Sequence, residues 1–389
     1  MNVSSLSVRA ARAERVRAVM AAAGVDVLLL SLGADLPWLT GYHAMPLERL
    51  TMLVMPADGE AYLVVPRLEA PRVETHPDLF KVRPWEEWED PVAIVAALAG
   101  AGRGHPGGPG RPVLSAGESS GMSIAVSDRT WATFVLALQA EIPAASWRPA
   151  SGVTGPLRAL KDEAEIAALA AASAAADRVA ADLLAGAIPL IGRTERAVSE
   201  DIGRRLIAEG HQGVNFAIVG GGPNSASPHH EPGARVIGPG EAVVCDFGGT
   251  MDSYCSDITR TVFTGQPPDE FVELYGLLAE AQAAGVAAAE VGIPCQDVDA
   301  AARDIIADGG LGAHFVHRTG HGIGLEEHED PYIVAGNTTP LAAGHAFSVE
   351  PGIYIDARFG ARIEDIVVAT AGGPRPLNRV DHELIVVDA

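Results

Sequence analysis

Two stretches of this 389-residue chain set carboxylates inside runs that otherwise read as buried β-strand, and no other feature limits the fold as strongly. The first is Val243-Val244-Cys245-Asp246-Phe247, a glycine-rich turn over residues 248–253, and a returning run over 254–263 that carries Asp257. Pairing across a turn centred between residues 251 and 252 predicts Asp246 opposite Asp257. The second is Phe347-Ser348-Val349-Glu350-Pro351-Gly352 with Arg362-Ile363-Glu364-Asp365-Ile366. Pairing about residue 357 predicts Glu350 opposite Glu364. Opposed side chains lie about 4.5–5.5 Å apart, where like charges destabilise an antiparallel pair. At an effective dielectric of 20, two unit charges 4 Å apart repel by about 4 kcal/mol, and burying bare carboxylates adds a desolvation cost. One such pair could simply be solvated. Two pairs on apolar strands call for cations, and two divalent ions cancel all four charges.

An imidazole accompanies the acids. His321 stands in Thr319-Gly320-His321-Gly322-Ile323-Gly324, where glycines let the backbone approach closely, with His317 four residues before it and His328 seven after. His229 and His230 precede Asp246. Four carboxylates and one imidazole form a mostly hard-oxygen donor set, which favours Mn²⁺ or Co²⁺, with Fe²⁺ and Zn²⁺ as the other candidates, over a thiolate zinc site. Two such ions sharing carboxylates hold a hydroxide at neutral pH, a nucleophile for carbonyl attack. By strand parity Cys245 faces away from Asp246 and reads as packing, while Cys255 shares the face of Asp257. Asp252 reads equally as a turn residue or as support for the acids. Gly220-Gly221-Gly222-Pro223-Asn224 reads as a cleft rim leading to His229.

The rest of the chain supplies the frame. A helix is expected over residues 7–20, a buried strand over 25–32, a hairpin of strands at 50–55 and 61–65, a helix over 91–98, a loop over 100–112, a strand at 113–114 and a helix over 130–138. Residues 150–156, Ala-Ser-Gly-Val-Thr-Gly-Pro, have linker composition, and the domain boundary is placed there, giving domains 1–152 and 158–389. Helices over 161–184 and 194–209, then 270–291 and 296–308, alternate with strand-rich stretches, an α+β arrangement with an antiparallel sheet.

Composition removes several function classes. The formal charge of −22 disfavours a nucleic-acid backbone as partner. Three cysteines at unrelated spacings fit a reducing compartment, so the cytoplasm is expected. The first apolar stretch follows five charged residues and is broken by Asp26, so it reads as neither a signal peptide nor a membrane span.

The order Asp246, Asp257, His321, Glu350, Glu364, within DFGG…SDITRT, GHGIGLEEHE, VEPGIY and RIED, resembles the pita-bread metallopeptidases, in their Xaa-Pro dipeptidase (prolidase) and aminopeptidase P branch. The resemblance spans about residues 160–389 strongly, and the first 150 more weakly through Leu39-Thr40-Gly41-Tyr42. It implies a C-terminal pita-bread fold, an antiparallel sheet with paired helices, preceded by a smaller creatinase-like α/β domain. It further implies that these five residues ligate two divalent metals, with Asp257 and Glu364 bridging them. By the same likeness a hydroxide bridging the metals cleaves the Xaa-Pro bond, Glu350 shuttles the proton, His229 and His328 bind substrate and stabilise the tetrahedral intermediate, and His317 and Arg362 line the cleft. The family is commonly dimeric, and residues 38–43 of one subunit would serve its neighbour. A dipeptide's carboxylate needs a cation. The stretch after His328, Glu329-Asp330-Pro331-Tyr332, holds no arginine, which leaves Arg358, Arg362 or a partner's arginine for that role. The competing readings are an aminopeptidase P acting on longer peptides, a non-peptide amide or amidine hydrolase on the same fold, and a binding protein that has lost catalysis.

Overall fold

The computed structural model describes residues 6–101 and 121–387. Most of the loop expected over residues 100–112, and the strand expected at 113–114, lie outside the described residues. The chain divides into two compact units, Asn2–Arg158 and Ala159–Ala389.

In the first unit α1 (Leu6–Ala23) ends at Gly24, whose φ of +62° is the left-handed geometry glycine adopts freely. β1 (Val27–Leu30), α2 (Asp35–Thr40), β2 (Met52–Pro56), β3 (Tyr62–Pro66), β4 (Lys81–Trp85), α3 (Pro91–Ala101), β5 (Ser123–Val126), α4 (Ala132–Glu141) and β6 (Ser146–Pro149) follow. The six strands make one mixed sheet in the order β4-β3-β2-β1-β5-β6, with β1 antiparallel to β2 and parallel to β5. Val95, Ala99 and Leu138 from the two later helices cover Leu29, Val54 and Ile124 of the sheet. Residues 150–156, read as a linker, lie mostly in a helix instead, α5 (Ser151–Ala159). Val153 and Thr154 are buried, and the Thr154 hydroxyl donates to the Ala150 carbonyl, so burial overrides the poor helix propensity of Gly152, Gly155 and Pro156.

The second unit opens with α6 (Glu163–Leu184) and α7 (Glu195–Ala208). A reciprocal capping box starts α6: Asp162 accepts the Glu165 N–H while the Glu165 carboxylate accepts that of Asp162. β7 (Gly213–Gly221), β8 (Glu241–Met251), β9 (Tyr254–Cys255) and β10 (Ile258–Thr264) come next, then α8 (Asp269–Ala288) and α9 (Cys295–Asp308). The remainder is β11 (Gly320–Gly322), β12 (Glu329–Ile333), β13 (Ala346–Val349), β14 (Gly352–Ile355), β15 (Phe359–Arg362), β16 (Asp365–Thr370), β17 (Gly373–Pro376) and β18 (Ile385–Val387). One sheet runs β18-β10-β8-β7, with β9 on β8; another runs β12-β11-β13-β16-β17; β14 and β15 form a hairpin. Pairing is antiparallel throughout except between β10 and β18. Val179, Leu183, Ile202 and Leu206 of the first helix pair pack on Val243, Cys245, Phe247 and Ile258 of the first sheet. Val286 and Val298 of the second pair back Phe347, Val349 and Val367 of the other.

The two carboxylate hairpins differ in how their expected registers fare. Met251 pairs with Tyr254 across a two-residue turn in which Asp252 and Ser253 both have positive φ, +47° and +74°, the geometry whose twist suits a tight hairpin. Asp252 is thus a turn residue. Asp246 consequently stands opposite Thr259, not opposite Asp257. The correction is a slip of two residues, so all three side chains keep one face and Asp257 becomes a diagonal neighbour. In the second hairpin the pairings flanking the glutamates, Val349 with Asp365 and Gly352 with Arg362, keep the register expected from a centre at residue 357.

Candidate metal centre

A cavity of about 460 Å³ gathers Asp246 from β8, Asp257 from the segment before β10, His321 from β11, Glu350 from the end of β13 and Glu364 from between β15 and β16. His321 can be there because its neighbours are glycines: a Cβ on Gly320 would collide with the Ser348 carbonyl, and one on Gly322 with the Asp330 carbonyl. One ligand atom each from Asp257, His321 and Glu364 lies within 4.8 Å of the others. His321 Nε2 is 3.1 Å from Glu350 Oε1 and 3.8 Å from Asp257 Oδ2. Hydroxyls orient the acids: Thr259 Oγ1 donates to Glu364 Oε2 at 2.6 Å, and Ser348 Oγ to Glu350 Oε1 at 3.0 Å.

The electrostatics of this cluster are out of balance without cations. Burial, reinforced by the neighbouring carboxylates, pushes Asp257 and Glu364 well above the ordinary carboxylate range and raises Asp246, although Arg362 opposes the rise. Glu350 goes the other way: the upward push of burial is outweighed by His321, His317 and Arg362, which bring it to about 2. Asp246 Oδ1 and Asp257 Oδ1 are buried with no hydrogen-bond partner. Orphaned carboxylate oxygens of this kind carry a large desolvation cost, and hard divalent cations are the partners that oxygen-rich donor sets take. The five side chains therefore fit such ions.

Arg362 is the guanidinium threaded through the acids. It donates to Asp246 Oδ2, to Thr259 Oγ1 at 3.0 Å, to the Tyr354 hydroxyl at 2.7 Å and to the Pro228 carbonyl at 3.3 Å. His317 contacts the same Tyr354 hydroxyl at 2.9 Å. His328 lies against His321 with ring centroids 3.8 Å apart. Burial, aided by His321 and Arg318, lowers His328 to about 4, and burial also lowers His317. His229 lines the cavity beside them, whereas His230 turns away to Glu195 at 2.8 Å.

The other side chains singled out in the sequence are placed as follows. Arg358 forms an exposed pair with Glu270 and does not line the cavity; Arg318 does, its guanidinium 4.4 Å above the Tyr332 ring. Cys255 accepts from Asn215 Nδ2 at 3.5 Å and is not part of the cavity wall. Cys245 is core, as its parity indicates. Thr259, Ser348, Arg318 and Tyr354 escaped the sequence reading. The first two share a face with Asp257 and Glu350 two residues away, a period-two signal that would have found them.

Two family models match the chain. The description "Metallopeptidase family M24" matches residues 163–371, and "Creatinase/Prolidase N-terminal domain" matches residues 12–160. The chain belongs to metallopeptidase family M24. It is 44% identical over 374 residues to "Probable dipeptidase PepE" of Mycobacterium tuberculosis, covering 95% of this chain and 94% of that protein. It is 34% identical over 371 residues to "Xaa-Pro dipeptidase" of Lactobacillus helveticus, covering 93% and 95%. Among solved structures, dipeptidase PepE from Mycobacterium ulcerans superposes with a TM-score of 0.89 at 43% identity, covering 98% of this chain and 99% of that one. Recombinant prolidase from Thermococcus sibiricus does so at 0.87 and 34%, covering 97% and 98%. The M24 match makes this chain a metallopeptidase, and the matched residues include the whole carboxylate cluster. Among the described residues no helix is long and apolar enough to cross a membrane.

Proposed function

We propose that this peptidase hydrolyses Xaa-Pro dipeptides with the help of two divalent ions. Kinship with proteins named Xaa-Pro dipeptidase supports the reading, and the observation that carries it is the buried cluster of four carboxylates and one histidine with two unpartnered oxygens. In this reading residues 1–152 form the creatinase/prolidase-like domain and 158–389 the catalytic one, in a cytoplasmic homodimer. Asp246, Asp257, His321, Glu350 and Glu364 hold the ions, Mn²⁺ or Co²⁺ by the hardness of the donor set. When bound, such ions polarise a carbonyl and bring the pKa of water close to neutrality.

The chain's own groups do the rest. Arg362 occupies Asp246 Oδ2 and leaves Oδ1 free. Ser348 occupies Glu350 Oε1, so Oε2 receives the proton given up by the attacking water and passes it to the proline nitrogen. That nitrogen bears no hydrogen in the substrate and must gain one to leave. His229 and His328 donate N–H bonds to the carbonyl oxygen as it gains charge, and His328, neutral at pH 7, does so without a charge of its own to desolvate. His317 fixes the Tyr354 hydroxyl that in turn holds Arg362. Arg318 replaces Arg358 as the cation for the product-side carboxylate.

The test is removal of metal with a chelator followed by assay on Ala-Pro and Ala-Pro-Ala. Loss of Ala-Pro cleavage and its recovery with Mn²⁺ or Co²⁺ is expected. No recovery on any prolyl peptide refutes the reading, and preference for Ala-Pro-Ala favours an aminopeptidase P.

A further inference from the structure

Glu195, the first residue of α7, is fully buried and lies outside the carboxylate cavity. Its Oε1 accepts from Gly221 N at 3.0 Å and Asn224 Nδ2 at 2.9 Å; its Oε2 accepts from His230 Nε2 at 2.8 Å and Gly233 N at 3.3 Å. One buried carboxylate thus gathers four donors from a single segment, residues 221–233, which also carries His229. The backbone adds two bonds, from Glu195 N to the Arg235 carbonyl and from Arg196 N to that of Gly233. From the other side Arg362 Nη1 donates to the Pro228 carbonyl at 3.3 Å. Both chain neighbours of His229 are therefore tied, Pro228 to Arg362 and His230 to Glu195. The His229 imidazole itself has no hydrogen-bond partner among the described residues and lines the cavity.

We propose that Glu195 is a positioning residue for the hydrolysis, holding the 221–233 segment so that the His229 imidazole meets the substrate in one orientation. The inference rests on the substrate-binding role given to His229 above. It explains why a charged carboxylate is kept in a dry position: a carboxylate offers only acceptors, and every group around it is a donor. A glutamine there presents an NH₂ to N–H groups whichever way its amide is turned.

The experiment is a double-mutant cycle on the full-length, Mn²⁺-loaded enzyme with Ala-Pro, comparing parent, Glu195→Gln, His229→Ala and the double variant. Glu195→Gln is expected to lower kcat/KM roughly 10- to 100-fold, the scale of a small misplacement of a reacting group. Calorimetric Mn²⁺ stoichiometry and affinity are expected to stay at parental values. In the His229→Ala background the same change is expected to cost less than about twofold, because the group it positions is gone. An equal loss in both backgrounds, or loss of Mn²⁺ binding in Glu195→Gln, overturns the proposal. A His229→Ala enzyme as active as the parent overturns the role of His229 itself, and with it this inference, in a way the other outcomes do not. Should Glu195→Gln fail to fold, His230→Ala, which removes one of the four donors from a part-buried position, is run through the same cycle against the same criteria.

Discussion

Replacing Arg260 with methionine removes a guanidinium whose five N–H groups are all engaged. Nε donates to the Asp381 carbonyl at 3.0 Å; Nη1 to the Thr259 and Glu364 carbonyls at 2.9 and 2.7 Å; Nη2 to Asp365 Oδ1 and the Val380 carbonyl, both at 2.8 Å. Both Arg260 and Asp365 are 1% exposed. Methionine fills much of the volume but leaves Asp365 with His382 and Gln282 as its remaining partners, and breaking one side of a buried ion pair costs about 3–5 kcal/mol. In a unit of this size each kcal/mol moves the melting temperature by about 2–4 °C, so the fall expected is about 6–20 °C. The assay is thermal unfolding by circular dichroism on chelator-treated protein, which removes any contribution from bound metal. Arg260→Lys keeps the charge but has three donors on one atom, so a smaller fall is expected. A folded Arg260→Met chain that melts within about 2 °C of the parent refutes the reasoning, because a pair this dry cannot be lost so cheaply.

His345 offers a test by pH. It is buried, its Nδ1 accepts the Ala342 N–H at 3.2 Å, and burial together with the charge of Lys161 lowers it to about 4. The fold favours the neutral ring, so its contribution is fully present above the unfolded value of about 6.5 and is lost as pH falls toward 4, about 3 kcal/mol in all; urea midpoints for His345→Asn are expected to fall less between pH 7 and 4.5 than those of the parent, and parallel curves contradict this. For the carboxylate clamp, Arg318→Ala is expected to raise KM for Ala-Pro about tenfold or more, the worth of a charge-assisted bond, while Arg358→Ala, which breaks only an exposed pair, is expected to leave KM unchanged and stability within about 1 kcal/mol; equal KM values for both variants contradict the assignment.

How far the site was legible in the sequence depends on whether the deciding signal was local. The face of Asp246 was readable because strand parity survives a slip of two residues, whereas its partner was not, since the positive φ of Asp252 and Ser253 places the turn between them, one residue beyond the expected centre. The register about residue 357 was readable because apolar runs flank both glutamates. Helix α5 was hidden by its glycines and proline, and shows itself only through the burial of Val153 and Thr154. Arg260, Tyr354 and Glu195 were invisible for another reason: several of their partners lie 26 to 121 residues away, and no periodicity links such positions.

Thr259 joins the two β-layers at the depth of the acids. Its backbone bridges that of Glu364, and its hydroxyl reaches the same residue's carboxylate. A seam closed this way cannot part without scattering the donor set, so a loaded centre acts as a rivet. Separation of the layers should then require the ions to leave first, with a protease cutting there more slowly in the loaded protein than in the chelated one.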